Sequence, residues 1–422
     1  MPHPKSSVPS ILQPAQMTRT VLDNGVVLLI DHRPTMSSVA LNLTFNIGSR
    51  HEPAELSGIT HFVEHMVFKG TKKRNLDAIA RVINEQGGFF NASTGTDCMR
   101  LETRVVQQDV IEAVELMTDL AFKSIFPKRE VERERGVILE EIAEYRDSPE
   151  DQCFDEWMNA LWSPSSLGAP ILGRTETIES ITAAQLKDWL SRLLHPSQII
   201  VSMAGNFTPA QLEFVVKTYS KLKPKADPLP QKGRAQGREQ RIYFNRPLEQ
   251  VQFCLGHEAH SRNHPNRLAA QVADIILGGG MGSRLFNEIR EKRGLAYTIA
   301  STYYGMAEEG YFLVYGSTLP DKYHDVLSIC QDECQKLGEE GPESEELRTA
   351  KQQFTRLILL SQDSPSTFAG RNSDREVYRS EHLSDEQLLQ KIDQVNREDV
   401  MAAALEIFSR PCAVTLVGPV EE

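Results

Sequence analysis

Apolar and polar residues alternate over Ser38–Asn46, with Val39, Leu41, Leu43 and Phe45 on one side, so a half-buried strand is expected there. Val26–Asp31, directly after the turn signal Asp23-Asn24-Gly25, has the same β character. Met99–Val106 reads as a further strand. The period then changes: Gln108–Phe126 is an amphipathic helix pattern, and a charged helix from Lys128 is stopped at Asp147-Ser148-Pro149. The second half repeats this order. Tyr311–Thr318 reads as a strand, Asp321–Leu337 as a helix, and a helix from Glu343 is stopped at Asp363-Ser364-Pro365. The two Asp-Ser-Pro stops lie 216 residues apart, and each half closes on a β-rich strand, Gln198–Gly205 and Ala413–Gly418.

These patterns predict an α+β fold of two domains, each a mostly antiparallel sheet covered by helices and related by an old duplication. The polar, proline- and glycine-bearing stretch 221–241 reads as a linker between an N-terminal domain (17–220) and a C-terminal domain (242–422). Residues 1–16 carry four prolines and no continuous apolar stretch, and read as a flexible tail rather than a signal peptide. A length of 422 residues suits two domains of roughly 200 residues.

Composition narrows the partners. A net charge of −12 argues against nucleic acid, and no apolar run reaches the roughly 18–20 residues of a membrane span. The six cysteines are scattered, so reduced thiols in a cytoplasmic protein are expected. Cys330 and Cys334, four apart on a helical pattern, are expected to pack rather than bind metal.

The chemistry begins at His61-Phe62-Val63-Glu64-His65. Ser57–Phe68 has helical spacing, so His61 and His65 share a face and can offer two imidazoles to one metal. Glu64 lies beside them, near enough to take a proton from water on that metal. A third ligand must come from elsewhere. In the helix after Lys128, Glu134, Ile138, Glu141 and Tyr145 fall on one face, and spacing alone does not choose between Glu140 and Glu141. A second glutamate on that face suits an acceptor that orients a ligand histidine.

Residues 61–71 (HFVEHMVFKGT) followed by 134–141 (ERGVILEE) resemble the pitrilysin family of inverzincin metallopeptidases. The branch they look most like holds the catalytic subunit of mitochondrial processing peptidase and its bacterial relatives. The resemblance spans about residues 17–420. It implies one zinc per chain held by His61, His65 and Glu141, Glu64 as general base, and Glu134 supporting a ligand. Further along, residues 286–297 (FNEIREKRGLAY) resemble the family's distal motif, which implies that Arg290 and Tyr297 steady substrate and the developing oxyanion. The Asn-Ala-x-Thr pattern of residues 91–94 implies that Asn91 and Ala92 contact a peptide added as an extra strand. The 216-residue offset carries Glu134 to Ala350 and Glu141 to Leu357, so the second half is expected to lack a metal site.

A zinc endopeptidase acting on peptides or unfolded segments is therefore expected, with a non-catalytic subunit or peptide-binding scaffold of the same fold as the alternative. Because family members of double length place the matching arginine and tyrosine in the half opposite the zinc, a homodimer is implied, or a heterodimer with an inactive sister chain.

Overall fold

The computed structural model describes residues 17–223 and 235–420. The expected tail 1–16 and the centre of the expected linker lie outside the described residues.

In chain order the first half forms β1 (Thr18–Val21), β2 (Val27–His32), β3 (Ser38–Phe45), α1 (Ile59–Val67), α2 (Leu76–Gln86), β4 (Phe89–Thr94), β5 (Met99–Val106) and α3 (Val110–Lys123). It continues with α4 (Lys128–Asp147), α5 (Pro149–Trp162), α6 (Thr175–Ser180), α7 (Ala183–Leu193), β6 (Ile199–Gly205) and α8 (Pro209–Ser220). The second half gives β7 (Gln240–Asn245), β8 (Val251–Glu258), α9 (Arg267–Gly278), β9 (Ala296–Gly305), β10 (Gly310–Thr318) and α10 (Tyr323–Glu340). It ends with α11 (Ser344–Leu360), α12 (Pro365–Val377), α13 (Asp385–Gln394), α14 (Arg397–Phe408) and β11 (Cys412–Gly418). Phe286–Glu291, between α9 and β9, forms a short π-helix.

Two sheets carry the fold, in the orders β1-β2-β6-β3-β5-β4 and β7-β11-β8-β10-β9. Setting β1 aside, the orders are the same path drawn twice: first strand, last, second, fourth, third. Each sheet also holds one parallel pair, β2 with β6 and β11 with β7, among antiparallel ones. This repeated topology is what a duplication leaves, and the α+β expectation with mostly antiparallel sheets is met.

The compact units are not contiguous in the chain. One comprises residues 17–139, 171–223 and 361–377; the other comprises 140–170, 235–360 and 378–420. The sequence boundaries at 220 and 242 treat each half as unbroken, whereas each sheet is covered by a helix from the opposite half. In the first unit α12 packs on β6, β3 and β2. Phe368 and Ala369 bury against Ala40 and Ala204, and the Arg33 guanidinium stands 3.6 Å from the centre of the Phe368 ring. In the second unit α5 packs on β11 and β8. There Trp157 is fully buried and donates Nε1–H to the Ala413 carbonyl at 3.0 Å, while Cys153 donates to Thr415 at 3.4 Å. Both covering helices start at the proline of an Asp-Ser-Pro stop, because proline suits the first helical turn and cannot prolong the helix before it. Cys330 and Cys334 sit inside the second unit's core, as their spacing suggested. Among the described residues no helix is long and apolar enough to cross a membrane.

Candidate metal centre

α1 is buried along almost its whole length; of its nine residues only Glu64 and His65 are partly open. An apolar run of this kind belongs in a core, so polar side chains kept within it need a reason. His61 is 7% exposed, and burial, helped by neighbouring His65, pushes its pKa down to about 3. A neutral imidazole with an available lone pair is the form that binds metal.

The rings of His61 and His65 meet edge to face, with centroids 4.6 Å apart and planes at 69°. Glu141, on α4, joins them: His61, His65 and Glu141 each offer a donor atom within 4.8 Å of the others. Glu140, the other candidate that spacing left open, is exposed and stands outside this group. The division between compact units falls inside α4, but Lys128–Asp147 is one unbroken helix, so Glu134 and Glu141 keep their two-turn relation.

Glu134 is 3% exposed. Its Oε2 lies 3.3 Å from His65 Nδ1 and its Oε1 2.9 Å from Lys69 Nζ. A carboxylate here only accepts, so Nδ1 is the His65 nitrogen that carries the proton. Arg135, the next residue, donates to the carbonyls of Ile178 and Ile181, the latter at 2.8 Å, and fixes α4 from its other side. On β4, Thr94 donates its hydroxyl to Glu64 Oε2 at 2.6 Å and so fixes the carboxylate beside the two histidines.

Two imidazoles and one carboxylate are the protein donors of a hydrolytic zinc site, so the residues present fit zinc. A second trio in the described residues, His260, His264 and Glu406, also brings its donors within 4.8 Å. Its two rings stack at 3.9 Å with planes only 11° apart, and His264 Nδ1 accepts from the Asn266 amide at 3.2 Å. Ring-nitrogen lone pairs lie in the ring planes, and two nearly parallel planes do not converge on one ion. That trio is not arranged as a chelate.

Arg290 and Tyr297 lie in the second unit. The Arg290 guanidinium donates to the Tyr297 carbonyl at 3.1 Å and stands 4.4 Å from the centre of its ring, which is 75% exposed. Asn91 and Ala92 lie on β4, the edge strand of the first sheet, with Asn91 exposed and Ala92 buried. At the two positions the repeat offset reaches, Ala350 is buried and Leu357 exposed, and neither can ligate a metal. Sequence reasoning did not single out Lys69, although it stood in the quoted motif, nor Glu52, described below, for which no spacing signal exists.

Residues 27–175 match the family model described as insulinase (peptidase family M16), and residues 180–354 match that of the peptidase M16 inactive domain. An uncharacterized zinc protease of Streptomyces coelicolor is 34% identical over 96% of this chain and 90% of its own length. A second, from Bacillus subtilis, is 31% identical over 95% and 98%. Among solved structures, a peptidase M16 inactive domain from Pseudomonas fluorescens and a protease from Helicobacter pylori each superpose with a TM-score of 0.89 at 22% identity. Each covers 96% of this chain, with 98% and 99% of their own lengths matched. These two show the shared fold. With family models covering most of the chain and relatives above 30% identity along nearly its full length, the chain belongs to peptidase family M16 and is a metallopeptidase.

Proposed function

We propose that this chain is a zinc-dependent endopeptidase cutting peptides or unfolded polypeptide segments, with one zinc per chain on His61, His65 and Glu141. The observation that carries the reading is the convergence of those three donors beside Glu64. The relatives named zinc protease agree with it.

Zinc in this site supplies a Lewis acid that brings the pKa of bound water to around 7 and polarises a scissile carbonyl. Glu64, held by the Thr94 hydroxyl, takes the proton of the attacking water and then passes it to the leaving amine. Glu134 holds the His65 ring in the tautomer that ligates. The free edge of β4 pairs with an extended peptide, Asn91 and Ala92 lying against the residues next to the cut. Tyr297 donates to the oxyanion and Arg290 steadies substrate, in a dimer where one subunit's pair completes the other's site. A homodimer is the simpler assembly, since this chain holds both motifs; a heterodimer with an inactive sister chain is the alternative. Six free thiols suit a cytoplasmic setting.

Glu64→Gln is the test. It keeps the site's shape and should retain zinc while peptide cleavage falls by about three orders of magnitude. Cleavage at the wild-type rate contradicts the mechanism. Zinc retained with no cleavage in the wild-type chain favours the non-catalytic scaffold instead.

A further inference from the structure

α1 has only nine residues, too few to hold its own register in water, yet it carries His61, Glu64 and His65. Its N-cap is Gly58, at φ 90°. A Cβ there would meet the Leu172 carbonyl at 2.6 Å and Gly173 Cα at 2.8 Å, so no side chain fits at the position that usually closes a helix's first turn.

Glu52, six residues upstream, supplies what the cap lacks. One of its oxygens accepts the Gly58 amide at 2.7 Å and the other the Thr60 amide at 2.8 Å. Glu52 is itself 7% exposed, and a glutamate seldom sits that deep unless its oxygens are paired. The Gly58 and Thr60 amides are two of the first-turn amides that find no partner within a helix, and a carboxyl group accepts from them in either protonation state. Two neighbours secure the same corner. Trp189 Nε1 donates to the Thr60 hydroxyl at 3.0 Å, and the Thr177 hydroxyl donates to the Ser57 carbonyl at 2.7 Å. Neither of these closes the amides of the first turn. His61 follows Thr60 directly, so it stands within the turn that Glu52 closes.

We infer that Glu52 is the positioning residue of the metal helix: by closing the first turn of α1 it holds His61, and along the helix Glu64 and His65, in the geometry that binds zinc. The inference deepens the zinc-peptidase reading and rests on it. Without this cap the first turn frays and the ligand set loosens while the rest of the fold stays in place.

The test uses the full chain with Glu52→Ala and Glu52→Gln. Three readouts are needed: hydrogen exchange of the amides from 58 to 65, zinc affinity by chelator competition, and kcat and KM on a peptide. In Glu52→Ala, exchange at the start of α1 should speed up at least about tenfold and zinc affinity should fall about tenfold. The loss of activity should lie in kcat, with KM little changed. Glu52→Gln keeps the volume and one accepting oxygen, and should recover part of each loss. A folded Glu52→Ala chain with wild-type exchange and zinc affinity overturns the inference. Should Glu52→Ala fail to fold, a Gln variant indistinguishable from wild type overturns it equally. A wild-type chain that takes up no zinc overturns the zinc-peptidase reading instead, and the exchange rates still decide whether Glu52 orders α1.

Discussion

Glu134 divides its carboxylate between His65 and Lys69, and that division matters because the group is almost wholly buried. Lys69 offsets the cost of burying the charge, and His65 gains a fixed tautomer. Glu52 faces the opposite balance. Burial raises its pKa from 4.5 to about 7, opposed by hydrogen bonds from Thr60 and Gly58. The folded state therefore holds this proton more tightly than the unfolded chain. Its contribution to stability is fullest below pH 4.5 and is lost as pH rises towards 7, a change of roughly 3 kcal/mol. Denaturant titrations from pH 5 to 8 should show wild type losing stability relative to Glu52→Gln as pH rises. Parallel curves for the two proteins would sink that assignment.

Among the elements, most were legible because their periodicity is set by burial on one face. β5 alternates buried and more open residues; β3, expected half-buried, is buried on both faces because α12 covers the side that Asn42 and Thr44 occupy. The Asp-Ser-Pro stops end α4 and the turn after α11, where proline breaks the helix pattern. The candidate site was legible where its residues sit four or seven apart on one helix, as His61 with His65 and Glu134 with Glu141. Long-range partners left no such trace. Glu52 reaches α1 across a bend, and Thr94 reaches Glu64 of α1 from β4, so only the folded chain joins them. The exchange of α5 and α12 was hidden for the same reason, since a covering helix looks alike whichever sheet it covers. It has a consequence: the fragment 1–223 lacks α12 and leaves α5 without its sheet. Expressed alone, that fragment should show no cooperative thermal transition, whereas co-expression with 224–422 should restore one. A sharp unfolding transition in the lone fragment would contradict the exchange.

For the whole molecule, the duplicated topology leaves one half with the histidine pair and the other with the Arg290–Tyr297 pair. Tyr297 is exposed, and the Arg290 guanidinium lies against its ring. Trans assembly predicts complementation: His65→Ala and Tyr297→Phe chains, each nearly inactive, should regain up to about a quarter of wild-type activity after subunit exchange, the share of sites built wholly from intact halves when chains mix at random. Proven exchange without recovery excludes such shared sites.

The most direct measurement is the zinc content of purified chains by elemental analysis, comparing wild type with Glu140→Gln and Glu141→Gln. The account predicts one zinc per chain in wild type and in Glu140→Gln, and a site emptied by mild chelation in Glu141→Gln. Full zinc retention in Glu141→Gln, or its loss in Glu140→Gln alone, would contradict it.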